Sequence, residues 1–564
     1  MQIQEFASDY TGAFAKMDPK HPYYHLNVGL FHLPCEHQEA KAFVYIPEST
    51  SCSCWSVAIL LPDSITVQDF LIKSGWKTIA DDNKVVLFLA QPNGSWNTGE
   101  EGIAFVEELR SKLDVRDHYV TQVFFAYLVG YGTGATVGLR YTQKHPDAYA
   151  GVGFAGEFEF TEADIESANH APAALPYVLA AEIPVPVYFQ VSNETEAFCH
   201  AVEDFKRRNH TCKRTYRDNH RFIAPATQVQ PRDTINGQPV ADVIADVAAF
   251  DDVLSPKAAE EMWKLVHRTI RTTGIGPGGL HKYRTLEELG ITTHEMEIDG
   301  YTRHWCEYIP KRNVSRSKKR PIVVFCHGGT QVAESGLYGA EWFNVAESRD
   351  FIALFPSGGM AQTRMNANPM PTWNISCKGL EDYYLDDEKF IRAMIADVAA
   401  REEIEYSRIY VTGHSMGSGM TQRCLLDMPD LFAAGASNSG VMLSGFETAT
   451  TQTNFDVACL VEISEHDVDS FDLSDSKMVV RNLKYWIDRG NLEPFETNHG
   501  YSCGRYTNRV WRNKDGVPML RYIAAFDKIH CVMPQDAWTY YDDFLCQFAR
   551  GDNGSLLYLG VPVR

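Results

Sequence analysis

RIYVTGHSMGSGMTQRCLLDM, residues 408–428, decides the fold of the second half of this 564-residue chain. Its first six residues are rich in apolar, β-branched and aromatic side chains and read as a strand, and Met416 onward has the spacing of an amphipathic helix. Between them, Gly413-His414-Ser415-Met416-Gly417 places glycines two residues before and two residues after a serine. That pattern belongs to a turn so sharp that strand and helix approach with no room for a side chain at either glycine. The turn holds its serine at the carboxyl end of the strand, before a helix N-terminus whose free amides favour a developing negative charge.

Outward from this stretch, HWCEYIP (304–310), PIVVFCHGG (321–329) and FIALFPSGG (351–359) read as strands, with AEWFNVAESRD as a helix between the last two. The first half runs in the same order through KAFVYIP (41–47), SVAILLPDS (56–64), SGWKTIADDNK and VVLFLAQPNGS. Trp96-Asn97 then stands against Trp373-Asn374, and residues 123–156 run beside 407–440. Short apolar strands alternating with amphipathic helices mean βαβ units and a mostly parallel sheet covered on both faces. A single core stops growing near roughly 250–300 residues. The expected fold class is therefore α/β, with two tandem α/β-hydrolase domains at 1–275 and 286–564 and the first degenerate. The join is expected in TTGIGPGGLHKYRT (272–285), after a helix ending near Arg271.

A serine attacks only when a base takes its proton and an acid orients the base, and in this fold the chain order is Ser, acid, His. The strand VACLVEIS (457–464) is followed by Glu465, Asp467 and Asp469, of which Asp467 is the expected acid and Asp469 the reserve. LRYIAAF (520–526) leads into DKIHCVMP, which puts His530 in the loop before a final helix, the place of the base. His466 and His499 read as surface or lining residues. The amide of Met416 is expected to form an oxyanion hole with one from HGGT (327–330), either Gly329 or Thr330. His327, His414 and Trp373 are candidate substrate contacts. The segments 360–373 and 441–455 are expected to be loops whose Met360, Met365, Met370, Met442 and Phe446 form an acyl or alcohol pocket.

Against these positions, Gly130-Tyr131-Gly132-Thr133-Gly134 keeps the turn but has Gly132 for the serine. Pro62-Asp63 matches His327-Gly328, Asp252 falls near the place of His530, and Glu194 and Thr195 flank that of Asp467. The first half reads as a non-catalytic domain that packs on the second or shapes its cleft, with independent ligand binding in the old pocket as the alternative.

A formal charge of −21 repels phosphate backbones and anionic lipid, so nucleic acid and membrane are not expected partners. The basic run Lys311–Arg320 lies between two strand-like segments and reads as a solvated loop. MQIQEFASDYTGAF lacks a basic start and an apolar run, which points to a cytoplasmic protein. The thirteen cysteines show no zinc spacing, and Cys52 and Cys54 are too close for a CxxC pair. Neither HExxH nor a phosphate-binding glycine loop occurs, so no metal or cofactor is expected. Cys326, Cys377 and Cys503 lie in segments expected near the serine, which leaves a disulfide there open.

Leu385–Gly440, with Asp-Asp before an amphipathic helix, the strand-turn-helix at Ser415 and the PDLFAA segment, resembles the polyhydroxybutyrate depolymerase-like and feruloyl esterase-like serine esterases. The likeness extends over most of 290–550, through HGGT and the Trp-Asn…Cys segment at 373–377 to the late histidine. It implies a triad of Ser415, Asp467 and His530 acting through an acyl-enzyme on an ester of the hydroxycinnamoyl or hydroxyalkanoate kind, and the cytoplasmic reading makes a small or oligomeric ester the expected substrate. The acid loop reads SEHD where that group has HGxxD, and His530 is followed by Cys-Val-Met-Pro, so the acyl and alcohol groups stay open. A peptidase using the same triad and a non-catalytic binding protein are the competing readings, and the oligomeric state stays open.

Overall fold

Val85–Ala90 shows how the first sheet is built: six consecutive residues, VVLFLA, are all buried. A parallel strand with helices on both faces has no solvent side, so its sequence does not alternate. The structure, a computed structural model, describes residues 1–6, 27–50, 54–113, 119, 121–169, 179–212, 215–227, 239–272, 279–311, 319–363, 366–375, 385–442, 455–467 and 470–563. The chain divides into two compact units between Arg284 and Thr285.

In the first unit the strands are β1 (Ile3–Gln4), β2 (Gly29–Leu33), β3 (Ala40–Ile46), β4 (Cys54–Leu60), β5 (Val85–Pro92), β6 (Thr121–Tyr131), β7 (Gly151–Ala155), β8 (Val187–Val191), β9 (Tyr216–Asp218), β10 (Arg221–Ala224) and β11 (Val243–Val247). Among the described residues they form one sheet ordered β1-β2-β3-β5-β4-β6-β7-β8-β11-β10-β9. A separate hairpin of β12 (Thr269–Arg271) and β13 (Leu280–Lys282) follows the helix Pro256–Val266. Residues near Arg271 therefore form a strand and not the end of a helix, and the hairpin carries the first unit past residue 275 to Arg284. The glycines of GIGPGG up to Gly278 lie outside the described residues.

The second unit has β14 (Ile291–Ile298), β15 (Tyr301–Tyr308), β16 (Arg320–Cys326), β17 (Ile352–Pro356), β18 (Gly359–Thr363), β19 (Asn366–Thr372), β20 (Ile404–His414), β21 (Ala434–Asn438), β22 (Ala458–His466), β23 (Tyr501–Cys503), β24 (Tyr506–Arg512) and β25 (Pro518–Ile529). Its main sheet is ordered β14-β15-β17-β16-β20-β21-β22-β25-β24-β23, which repeats the order β2-β3-β5-β4-β6-β7-β8-β11-β10-β9 strand for strand. Each unit buries its own apolar cluster, the first around Phe88, Leu128 and Phe154 and the second around Val324, Val411 and Met420.

Register makes the correspondence residue by residue. Leu60 pairs with Gly130 as Cys326 pairs with Gly413. Ala155 pairs with Gln190 as Asn438 pairs with Glu462. Leu61-Pro62 consequently stands where His327-Gly328 stands, one residue earlier than matching the sequences by eye suggests. The stretch 360–373, expected as a loop, is largely the β18–β19 hairpin, with Gly359 opposite Thr372.

Candidate active site

Ser415 follows β20 and caps the helix Met416–Asp427, with φ 55° and ψ −115°. This conformation is costly for a residue bearing a Cβ, on the order of 1–3 kcal/mol, and persists where the surroundings impose it. Here a Cβ on Gly417 would overlap the carbonyl oxygen of Cys326, and one on Gly413 would overlap that of Gly417. The Ser415 amide donates to the carbonyl of Asn438 at the end of β21, at 2.9 Å. Close contact of helix, β16 and β20 leaves the side chain no other way to leave the strand.

His530 lies just past β25 and Asp467 just past β22, and neighbouring parallel strands bring the two loops together. His530 Nε2 is 2.9 Å from Ser415 Oγ, and His530 Nδ1 is 2.6 Å from Asp467 Oδ1. The Asp467 side chain is buried while that of His530 is about one-third exposed, so the imidazole reaches solvent and the carboxylate does not. His499 instead meets Glu493 at 3.0 Å, and His466 is exposed. Asp469, Met365, Phe446 and Cys377 lie outside the described residues, as does the side chain of Met370; Met360 and Met442 are buried, and Cys326 and Cys503 are free thiols.

The backbone amides near Ser415 differ in what they bond. Thr330, at φ 70°, spends its amide on the carbonyl of Pro371 in β19, at 2.8 Å, so it is not available to a substrate oxygen. The amides of Gly329 and Met416 bond no other backbone group among the described residues. The loop bearing Gly329 is braced from several sides. Gly328 N donates to Gln331 Oε1 at 3.1 Å, Gly358 N donates to His327 Nε2 at 2.9 Å, and the Trp373 indole N–H donates to the His327 carbonyl at 2.9 Å.

These contacts correct the expectation that His327 and Trp373 touch substrate. Both are buried within the brace. Trp96 donates in the same way to the carbonyl of Leu61, at 2.8 Å, in the unit that has no serine at its turn. A contact kept where there is no nucleophile belongs to the fold. Burial lowers the pKa of His327 to about 4 and keeps it neutral, as an acceptor from Gly358 requires. His414 is buried as well, its ring centroid 4.9 Å from that of His530, and burial together with that neighbour holds its pKa well below the ordinary histidine value.

Behind the triad lies a buried ionic cluster that the sequence reading missed. Lys528 Nζ sits between Glu462 Oε1 and Asp536 Oδ2, the latter at 2.6 Å, with all three side chains fully buried. Tyr540 donates to Glu462 at 2.7 Å, Tyr506 donates to Asp536 at 2.8 Å, and Asn438 Nδ2 donates to Glu462 at 3.1 Å. Burial and the nearby Asp536 push the Glu462 carboxyl up from the usual carboxylate range, and the Lys528 ammonium opposes them. The available signal was Glu462 itself, a charge inside the otherwise apolar VACLVEIS.

The first unit repeats the turn with a glycine in place of the serine. Gly132 has φ 56° and ψ −126°, and its amide donates to Ala155 O at 2.9 Å as that of Ser415 does to Asn438 O. Thr195, at the register position of Asp467, caps the helix Glu196–Arg208, and the neighbouring Glu194 pairs with Arg217. Asp252 holds the amide of Leu254 at 2.8 Å. Both units form no cluster of three or more metal-ligating side chains among the described residues, and no helix there is long and apolar enough to cross a membrane.

No family model matches the chain. Over 148 residues, 26% of this chain and 37% of the relative, it is 28% identical to a probable acetylxylan esterase A of Neosartorya fischeri. It is 28% identical over 266 residues to feruloyl esterase B of Neurospora crassa, covering 45% of this chain and 80% of that one. To poly(3-hydroxyalkanoate) depolymerase C of Paucimonas lemoignei it is 29% identical over 221 residues, 36% of this chain and 52% of the relative. The match thus spans just over a third of the acetylxylan esterase and most of the feruloyl esterase. Fold, site geometry and these relatives make the chain similar to esterases of the α/β-hydrolase kind.

Proposed function

We propose that the second unit hydrolyses carboxylic esters through an acyl-enzyme on Ser415, and that the first unit is a non-catalytic relative of it. The hydrogen-bonded line from Asp467 through His530 to Ser415 carries this reading. His530 Nε2 takes the hydroxyl proton as Ser415 Oγ attacks the ester carbonyl, and Asp467 stabilises the imidazolium through Nδ1. The amides of Met416 and Gly329 receive the oxyanion, with the helix N-terminus adding its dipole. His530 then protonates the departing alcohol, and water entering by the same route releases the acid. The relatives' names suggest acetyl, hydroxycinnamoyl or hydroxyalkanoate esters as substrates to try first.

The test is to treat wild type and Ser415→Ala with a fluorophosphonate probe and assay both on p-nitrophenyl acyl esters, methyl hydroxycinnamates, hydroxybutyrate oligomers and peptide anilides. The reading requires that wild type alone takes the label and turns over an ester. Turnover confined to the anilides would make the enzyme a peptidase, and the absence of both label and turnover would leave a binding protein.

A further inference from the structure

We propose that the buried Glu462–Lys528–Asp536 cluster is a positioning device that sets the His530 imidazole between Ser415 and Asp467; the inference deepens the esterase reading and rests on it. Asp536 Oδ2 holds Lys528 Nζ at 2.6 Å and the backbone amide of Met533 at 2.8 Å. One carboxylate oxygen therefore clamps both ends of the segment 528–533, and His530 lies inside it. Glu462 binds the same ammonium from β22, five residues before Asp467, which ties the strand of the acid to the loop of the base. Asn438, whose carbonyl receives the Ser415 amide, donates its Nδ2 to Glu462 at 3.1 Å and Asp536 at 3.3 Å. All three members of the triad are thus joined to one buried cluster.

The first unit shows that the fold does without it. By register, Ala155 stands in place of Asn438 and Gln190 in place of Glu462. Counted from the prolines that open the following helices, Pro256 and Pro534, Phe250 replaces Lys528, Ala258 replaces Asp536 and Met262 replaces Tyr540. The Gln190 amide bonds the Ala258 carbonyl and Tyr188, which in turn donates to Asp246 at 2.6 Å. Buried ion pairs are weak devices for stability, because desolvation offsets most of their attraction, and in some proteins they are kept because they fix geometry. The charges at these particular positions are present where the serine is present and replaced by uncharged residues where it is absent, while the first unit's own ion pair of Arg221 and Asp246 stands on other strand positions, β10 and β11, and this contrast assigns the cluster to the site.

The test uses the full chain with Glu462→Gln, which installs the residue the first unit carries there, and Lys528→Met. Fluorophosphonate titration counts active sites, p-nitrophenyl acetate gives kcat and KM per titrated site, and proton NMR follows the downfield Nδ1–H of His530 bound to Asp467. The expected result is kcat lowered roughly 10- to 100-fold with KM little changed, together with loss or exchange broadening of that resonance. Wild-type kcat per site with an unchanged resonance, and only a lower melting temperature, would overturn the proposal. Should Lys528→Met fail to fold, Glu462→Gln decides alone. The resonance is read on resting protein, so a wild type that shows it but takes no label loses the esterase reading, whereas a Glu462→Gln protein that keeps it unchanged loses the positioning role.

Discussion

At the scale of single residues, two buried histidines make the second unit sensitive to acid. His327 has its pKa lowered from 6.5 to about 4 by burial, and His414 is shifted in the same direction. A base with a depressed folded pKa contributes stability that is complete above its unfolded value of 6.5 and is lost as pH falls towards about 4, because the unfolded chain binds the proton first. For His327 the loss is about 3 kcal/mol. Urea unfolding at pH 7.5, 5.5 and 4.5 should show stability declining through this window, and His327→Gln should flatten the decline. Gly417 offers a second residue-scale test. An added Cβ meets the Cys326 and His327 carbonyls, which cannot retreat without parting β16 from the helix. Gly417→Ala should cost more than about 2 kcal/mol in the same assay and remove the label, since the strained turn is what presents Ser415.

At the scale of elements, the paired tryptophans separate what a strand-to-loop junction needs from what catalysis needs. Trp96→Phe and Trp373→Phe each leave a buried carbonyl, of Leu61 and His327, without its donor. Each should lower stability by about 1–3 kcal/mol in denaturant unfolding. Only Trp373→Phe should also lower kcat per titrated site, because in the proposed mechanism only its loop carries an oxyanion amide. The β18–β19 hairpin acts on the same loop from the other side, through Pro371 and the Thr330 amide. Helix ends follow ordinary capping: Asp386 accepts from Lys389 N at 2.9 Å, and Asp386→Ala should cost about 1 kcal/mol with turnover per site unchanged.

At the scale of the whole molecule, two units share one strand order and one sharp turn, and they differ in what stands at the ends of the strands. A fluorophosphonate should accordingly label one site per chain, as intact mass will show, and Ser415→Ala should abolish it. Gly132→Ser should leave that stoichiometry at one. A Cβ at Gly132 meets only Pro62 at 3.6 Å, and the backbone already has the turn's φ of 56°, so a serine fits. It would find Thr195 and Asp252 where an acid and a base are required. A second label on this variant would show that the turn and its helix N-terminus suffice for reaction with the probe.

Local signals in the sequence determined much of this protein. The apolar strands, the glycines around Ser415, the repeated order of elements, and the places of Asp467 and His530 after their strands all follow from periodicity and from the chain order that a triad needs in this fold. Tertiary structure decided what depends on neighbours remote in sequence. Whether Gly329 or Thr330 has a free amide turns on the Pro371 carbonyl some forty residues on, and whether Trp373 faces substrate or braces a loop turns on the His327 carbonyl. The cluster of Glu462, Lys528 and Asp536 joins residues from two strands and a helix. No spacing rule connects them, because burial of a charge is settled only when the sheet brings its partners within hydrogen-bonding reach.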